Sequence, residues 1–184
     1  MSSKGWLSIP NILTLTRIVL TPVMVFALLR HQAQLALVLL LVAGLTDMLD
    51  GAIARFFNQR TVVGAYLDPM ADKIMLIGGM VALYLLGEVP LFLFLAVLFR
   101  DVVIVLGAIF YELVTHNLKM EPSLVSKATT AMQIVCLVVL TMHQAWPIPT
   151  LFTGVAIWLA FVLTVVSGLH YLVVWTGKAV TATE

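Results

Sequence analysis

The amino-acid sequence predicts an all-α integral membrane protein: six transmembrane helices in a single bundle, with a polar site facing the cytoplasm. Three observations carry this reading. The 184-residue chain is 62% hydrophobic and 10% charged, with a mean hydropathy of +1.10, whereas soluble domains carry about 25% charged residues. Six apolar stretches can be drawn along it, each near the roughly 20 residues that a bilayer-spanning helix needs. The basic residues between those stretches are divided unevenly between the two sides they define, which sets orientation.

The first stretch, 11–29, shows no recognisable cleavage site and reads as a retained span. His31-Gln32 connects it to the second, 34–55. Asn58-Gln59-Arg60 leads to the third, 64–86, and Gly87-Glu88 to the fourth, 89–114. The fourth is the least uniform, because Arg100 and Asp101 interrupt it. Glu121-Pro122 opens the fifth, 122–144, and Pro147-Ile148-Pro149 the sixth, 150–175. With the N-terminus inside, Lys4, Arg55, Arg60, Lys119 and Lys178 fall on or near the cytoplasmic side, and Arg30 alone lies outside. Both termini are therefore expected in the cytoplasm. Trp6 and Trp175 suit the inner interface and Trp146 the outer, and His31, His116, His143 and His170 read as interfacial residues near helix ends. One membrane domain uses 1–184. The formal net charge of +1 offers no basic field for nucleic acid. Cys136, the only cysteine, excludes an intrachain disulfide and a cysteine-based metal site.

Four carboxylates stand against this apolar background: Asp47, Asp50, Asp68 and Asp72, in the run DMLDGAIARFFNQRTVVGAYLDPMAD. An ionised carboxylate at the bilayer centre costs roughly 2.5–3.5 kcal/mol on insertion scales, and four close together repel one another. Asp47 and Asp50 are three apart, Asp68 and Asp72 four apart, so each pair shares a helix face. With the second helix running inward and the third outward, the two faces can converge as an oxygen-rich cage open to the cytoplasm. Such a cage suits one or two Mg²⁺ or Mn²⁺ ions. Gly51 and Ala54 leave room for a ligand, and Arg55 is a good phosphate partner. Metal, arginine and small residues together read as a diphosphate site, and phosphoryl transfer needs little more than these and a base. Arg100 and Asp101 have two readings, a structural ion pair or part of a site.

The pattern D-x2-D-G-x2-A-R-x8-G-x3-D-x3-D, residues 47–72, resembles the motif of the CDP-alcohol phosphatidyltransferase family at every fixed position. The length and six-helix layout are similar as well. The resemblance implies transfer of a phosphatidyl group from CDP-diacylglycerol to an alcohol, with release of CMP. It implies that Asp47, Asp50, Asp68 and Asp72 bind the metal, that Asp72 is the catalytic base, and that Asp47, Gly51, Ala54, Arg55, Gly64 and Asp68 seat CDP-diacylglycerol. It also implies a homodimer.

For the acceptor, IPNILTLTRIVLTP (9–22) resembles the opening of both phosphatidylglycerophosphate synthases and mitochondrial-type cardiolipin synthases. Asn11, Thr14 and Arg17 share one helix face by their spacing and could line the acceptor side, with Arg60, Arg100 and Lys127. AGLTDMLDGAIAR with NQR, the Arg100-Asp101 dipeptide, and KMEPSLVSKATTAMQ (119–133) are similar to the cardiolipin synthase versions. Thr129 stands where the glycerophosphate enzymes tend to have a second lysine. A small dianion wants several cations around its phosphate, whereas phosphatidylglycerol carries one charge and two acyl chains. The expectation is therefore cardiolipin and CMP from CDP-diacylglycerol and phosphatidylglycerol, with glycerol 3-phosphate as the alternative acceptor. Lys127 also has the reading of a snorkelling lysine, and Gln133 and Thr130 that of interhelical packing bonds. A membrane prenyltransferase fits less well, since its two acidic motifs lie far apart in sequence. A divalent-cation transporter would place its carboxylates near the midplane on broken helices. The compact chain favours a bacterial inner membrane.

Overall fold

A computed structural model describes residues 9–56, 62–115 and 124–181, with side chains over 13–47, 70–107 and 124–171. The apolar stretches form six helices: α1 (Ile9–Leu29), α2 (Ala33–Phe56), α3 (Val62–Leu85), α4 (Leu91–Thr115), α5 (Leu124–Ala145) and α6 (Thr150–Thr181). Their ends lie within two residues of the expected ones, except that α6 runs on to Thr181. Arg100 and Asp101 do not interrupt α4, which is continuous through them because their charges are paired with each other.

Where a single bundle is expected, the helices cluster into two compact units. The first holds α1, α2, α3 and the part of α5 from Leu137; the second holds α4, α5 up to Cys136, and α6. In the first unit one buried stripe runs along α1 through Thr14, Arg17, Thr21, Met24 and Leu28. That three-four spacing is the seam of packed helices. α1 packs on α2 and α3, whose buried residues include Ala36, Leu40 and Ala43, and Ala71, Met75, Met80 and Leu83. Small residues let the backbones approach: a Cβ on Gly79 would lie 2.7 Å from a methyl of Leu137. In the second unit the buried residues include Leu93 and Val97 of α4, Thr129, Gln133 and Cys136 of α5, and Ala156, Ala160 and Thr164 of α6.

The outward faces are apolar too: Val19, Phe26, Val38, Leu95, Phe99, Trp158 and Val162 are all exposed. Helices apolar all round belong in a large core or a membrane. Among the described residues, the segments 124–145 and 150–171 are long and apolar enough to cross one, and the apolar parts of α1 and α2, Leu13–Leu29 and Ala33–Asp47, are shorter.

Two turns close by the same device. At the end of α1, Gln32 N–H reaches the Ala27 carbonyl and His31 N–H that of Leu28; at the end of α3, Glu88 reaches Leu83 and Gly87 reaches Tyr84. Both are Schellman caps, whose central residue adopts the left-handed conformation. Gly87 does so at φ 80° and His31 at φ 57°.

Candidate active site

The seam of the first unit turns polar at one end. Arg17 follows the stripe of α1 and its side chain is fully buried. Its Nη1 lies 2.6 Å from Asp47 Oδ1 of α2 and also donates to Asp72 Oδ1 of α3. The carboxylates themselves are open, 42% and 40% exposed. Pro22 has no N–H to continue the helical ladder, and one residue earlier the Thr21 hydroxyl donates to the Arg17 carbonyl at 2.9 Å. Thr14, the preceding position of the stripe, is fully buried.

Two hard oxygens from two helices thus meet at one positively charged atom. This is the donor chemistry that Mg²⁺ or Mn²⁺ requires, and the guanidinium nitrogen shows that positive charge is stabilised there. The donor pair therefore fits the expected metal. Asp50 lies within α2 and Asp68 within α3, but their side chains, and those of Asn11, Gly51, Ala54, Arg55 and Gly64, fall outside the described residues, as does Arg60 entirely. Among the described residues no three metal-ligating side chains gather.

The remaining acceptor candidates lie in the second unit. Arg100 is buried; its Nη1 donates to Asp101 Oδ1 at 2.8 Å and its Nη2 to Ser126 Oγ at 2.6 Å. Longer contacts reach the Ser126 carbonyl at 3.3 Å and Ser167 Oγ at 3.5 Å. The ion pair between Arg100 and Asp101, one of the two readings of this dipeptide, is formed. Lys127 is exposed. Thr129 is buried and donates to the Val125 and Leu163 carbonyls, and Gln133 donates to Thr164 Oγ1 at 2.9 Å, a packing bond between α5 and α6.

Sequence reasoning missed two things. It read Arg17 toward the acceptor and did not anticipate that Arg17 also joins Asp47 to Asp72. The signal was the buried spacing Thr14–Arg17–Thr21, which puts the cation in the helix seam. It also missed Ser126 and Ser167 as partners of Arg100. Ser126 lies three residues before Thr129 on the polar face of α5, and Ser167 three after Thr164 on α6.

The profile of the CDP-alcohol phosphatidyltransferase family matches residues 7–166. The chain belongs to that family. CDP-alcohol phosphatidyltransferases are membrane-embedded and generally depend on divalent metal. A human relative, cardiolipin synthase (CMP-forming), is 36% identical over 145 residues, which is 70% of this chain and 48% of the relative. A CDP-diacylglycerol–glycerol-3-phosphate 3-phosphatidyltransferase of Aquifex aeolicus is 35% identical over 126 residues, covering 67% of this chain and 70% of that one. A probable phosphatidylglycerophosphate synthase of Mycobacterium tuberculosis is 30% identical over 172 residues, covering 90% and 80%. This chain spans about half the length of the animal cardiolipin synthases it matches.

Proposed function

We propose that this member of the family transfers a phosphatidyl group from CDP-diacylglycerol to the hydroxyl of phosphatidylglycerol, giving cardiolipin and CMP. The observation that supports it most is the meeting of Asp47 and Asp72, the first and last acids of the family motif, at one cationic atom. The bound dication supplies neutralisation of the diphosphate and of the departing CMP. Asp47, Asp50, Asp68 and Asp72 hold it. Gly51, Ala54, Arg55 and Gly64 seat the cytidine diphosphate. Asp72 takes the proton of the acceptor hydroxyl as that oxygen bonds to the phosphorus bearing diacylglycerol and the phosphorus–oxygen bond to CMP breaks. Asn11, Thr14, Arg17, Arg60 and Lys127 line the acceptor side. Arg100, occupied by Asp101 and Ser126, is assigned to the fold.

Phosphatidylglycerol is favoured because Thr129, at the position of a second lysine in the glycerophosphate enzymes, serves packing and adds no charge for a dianion. The name of the human relative agrees. Glycerol 3-phosphate is the second reading, supported by the names of the Aquifex and Mycobacterium relatives. We place six spans in the membrane with both termini and the aspartates on the cytoplasmic side, from the distribution of basic residues. A homodimer in a bacterial inner membrane completes the proposal, in keeping with the bacterial relatives.

The test is product identification. Purified protein is given CDP-diacylglycerol and a divalent metal with either phosphatidylglycerol or glycerol 3-phosphate. Cardiolipin formed only with phosphatidylglycerol supports the reading; phosphatidylglycerophosphate formed only with glycerol 3-phosphate replaces the acceptor.

A further inference from the structure

The aspartate site already contains a cation of its own. Arg17 is fully buried, and a single nitrogen of its guanidinium serves both Asp47 and Asp72. That group stays protonated at any working pH. It sits on the packed seam of α1, anchored between the buried Thr14 and Thr21, while the two carboxylates come from α2 and α3. One side chain therefore ties three helices together through the oxygens that the proposed reaction assigns to the metal.

Two roles are open to such a residue, and they predict opposite signs. An arginine that only arranges the carboxylates for the metal would raise metal affinity by pre-organisation. An arginine that occupies the carboxylates lowers affinity, because an incoming dication must displace its hydrogen bonds and also meets its positive charge. The shared nitrogen favours the second, since both carboxylates spend an oxygen on the same atom.

We propose that Arg17 is the resident counter-ion of the aspartate site. It holds Asp47 and Asp72 together in the metal-free protein and yields them to the metal, leaving its guanidinium to an anionic phosphate of the substrate. Arg17 thereby sets the metal affinity and keeps the empty site folded. This rests on the reading of the aspartates as a divalent-metal site.

The experiment measures Mn²⁺ binding by electron paramagnetic resonance on full-length, EDTA-stripped protein in detergent, with thermal unfolding in parallel. Arg17→Gln should bind Mn²⁺ at least about tenfold more tightly than wild type. Its metal-free Tm should fall by several degrees, and saturating Mn²⁺ should restore most of that loss. Arg17→Lys keeps the charge and should bind Mn²⁺ close to wild type. Equal or weaker Mn²⁺ binding by folded Arg17→Gln overturns the proposal and leaves the metal site standing; no Mn²⁺ binding by either protein overturns both. If Arg17→Gln does not fold, wild-type protein with ¹⁵N-labelled arginine side chains decides. Mg²⁺ should shift the guanidinium signal of a buried arginine, and signals unmoved at saturating Mg²⁺ overturn the proposal.

Discussion

Arg17 and Arg100 are both buried guanidiniums on apolar helices, with side chains 0% and 3% exposed. Their carboxylates differ. Asp101 is buried too, 8% exposed, and Arg100 also donates to the hydroxyl and carbonyl of Ser126 on α5. Asp47 and Asp72 are about 40% exposed and share one guanidinium. The Arg100 pair is neutral and buried on both sides, although Arg100 Nε has no hydrogen-bond partner among the described residues. The Arg17 set carries excess negative charge in the open, with two more acids of the motif on the same two helices. A charge in an apolar helix is thus not by itself a sign of chemistry. Exposure and charge imbalance separate the set proposed to be functional from the buried pair.

Substitutions test whether the two buried arginines differ in role. The largest effect is expected at Asp72: Asp72→Asn should lower kcat by about 10²–10⁴-fold, the usual contribution of a general base, while CDP-diacylglycerol binding persists. Turnover within tenfold of wild type would remove Asp72 as the base. Next, Arg100→Ala should destabilise the fold by about 3–5 kcal/mol, because it strands a buried carboxylate. The double change Arg100→Met with Asp101→Leu should recover most of that stability, since replacing both members of a buried pair is often neutral or better. Thermal unfolding checks both, and a double variant that is stable but cannot bind the acceptor would make Arg100 a site residue after all. A smaller effect is expected at the exposed Lys127. Lys127→Ala should raise the acceptor KM several-fold more than the donor KM, and the reverse would move Lys127 to the donor pocket. The smallest concerns the caps. Gly87→Ala should cost about 1–2 kcal/mol, the penalty for a side chain in the left-handed region. His31→Gly should gain up to about 1 kcal/mol by relieving that same penalty, and unchanged melting of both would contradict the cap assignment.

The helices are legible in the sequence because apolar runs of spanning length end at Gly, Pro and polar pairs, and such signals are local. The family motif of the aspartates is legible for a similar reason, since Asp47 to Asp72 spans two adjacent helices at fixed spacing. Arg17 is different. Its pairing with Asp47 and Asp72 depends on how three helices rotate about their axes, and only the stripe through Thr14, Thr21 and Met24 hints at it. The division of α5 between two units at Cys136 and Leu137 has no local signal, because it follows from which helices each half packs against. The Arg100–Asp101 pair is visible as neighbours in sequence, whereas its closure by Ser126 requires α5 to be in place.

The open aspartates are proposed to form a metal-dependent phosphatidyl-transfer site. CMP release from CDP-diacylglycerol in the presence of phosphatidylglycerol, by EDTA-stripped protein before and after Mn²⁺ or Mg²⁺ is restored, tests it most directly. No CMP is expected without metal, and steady release with it. CMP release that ignores the metal, or none under either condition with phosphatidylglycerol or glycerol 3-phosphate, would contradict it.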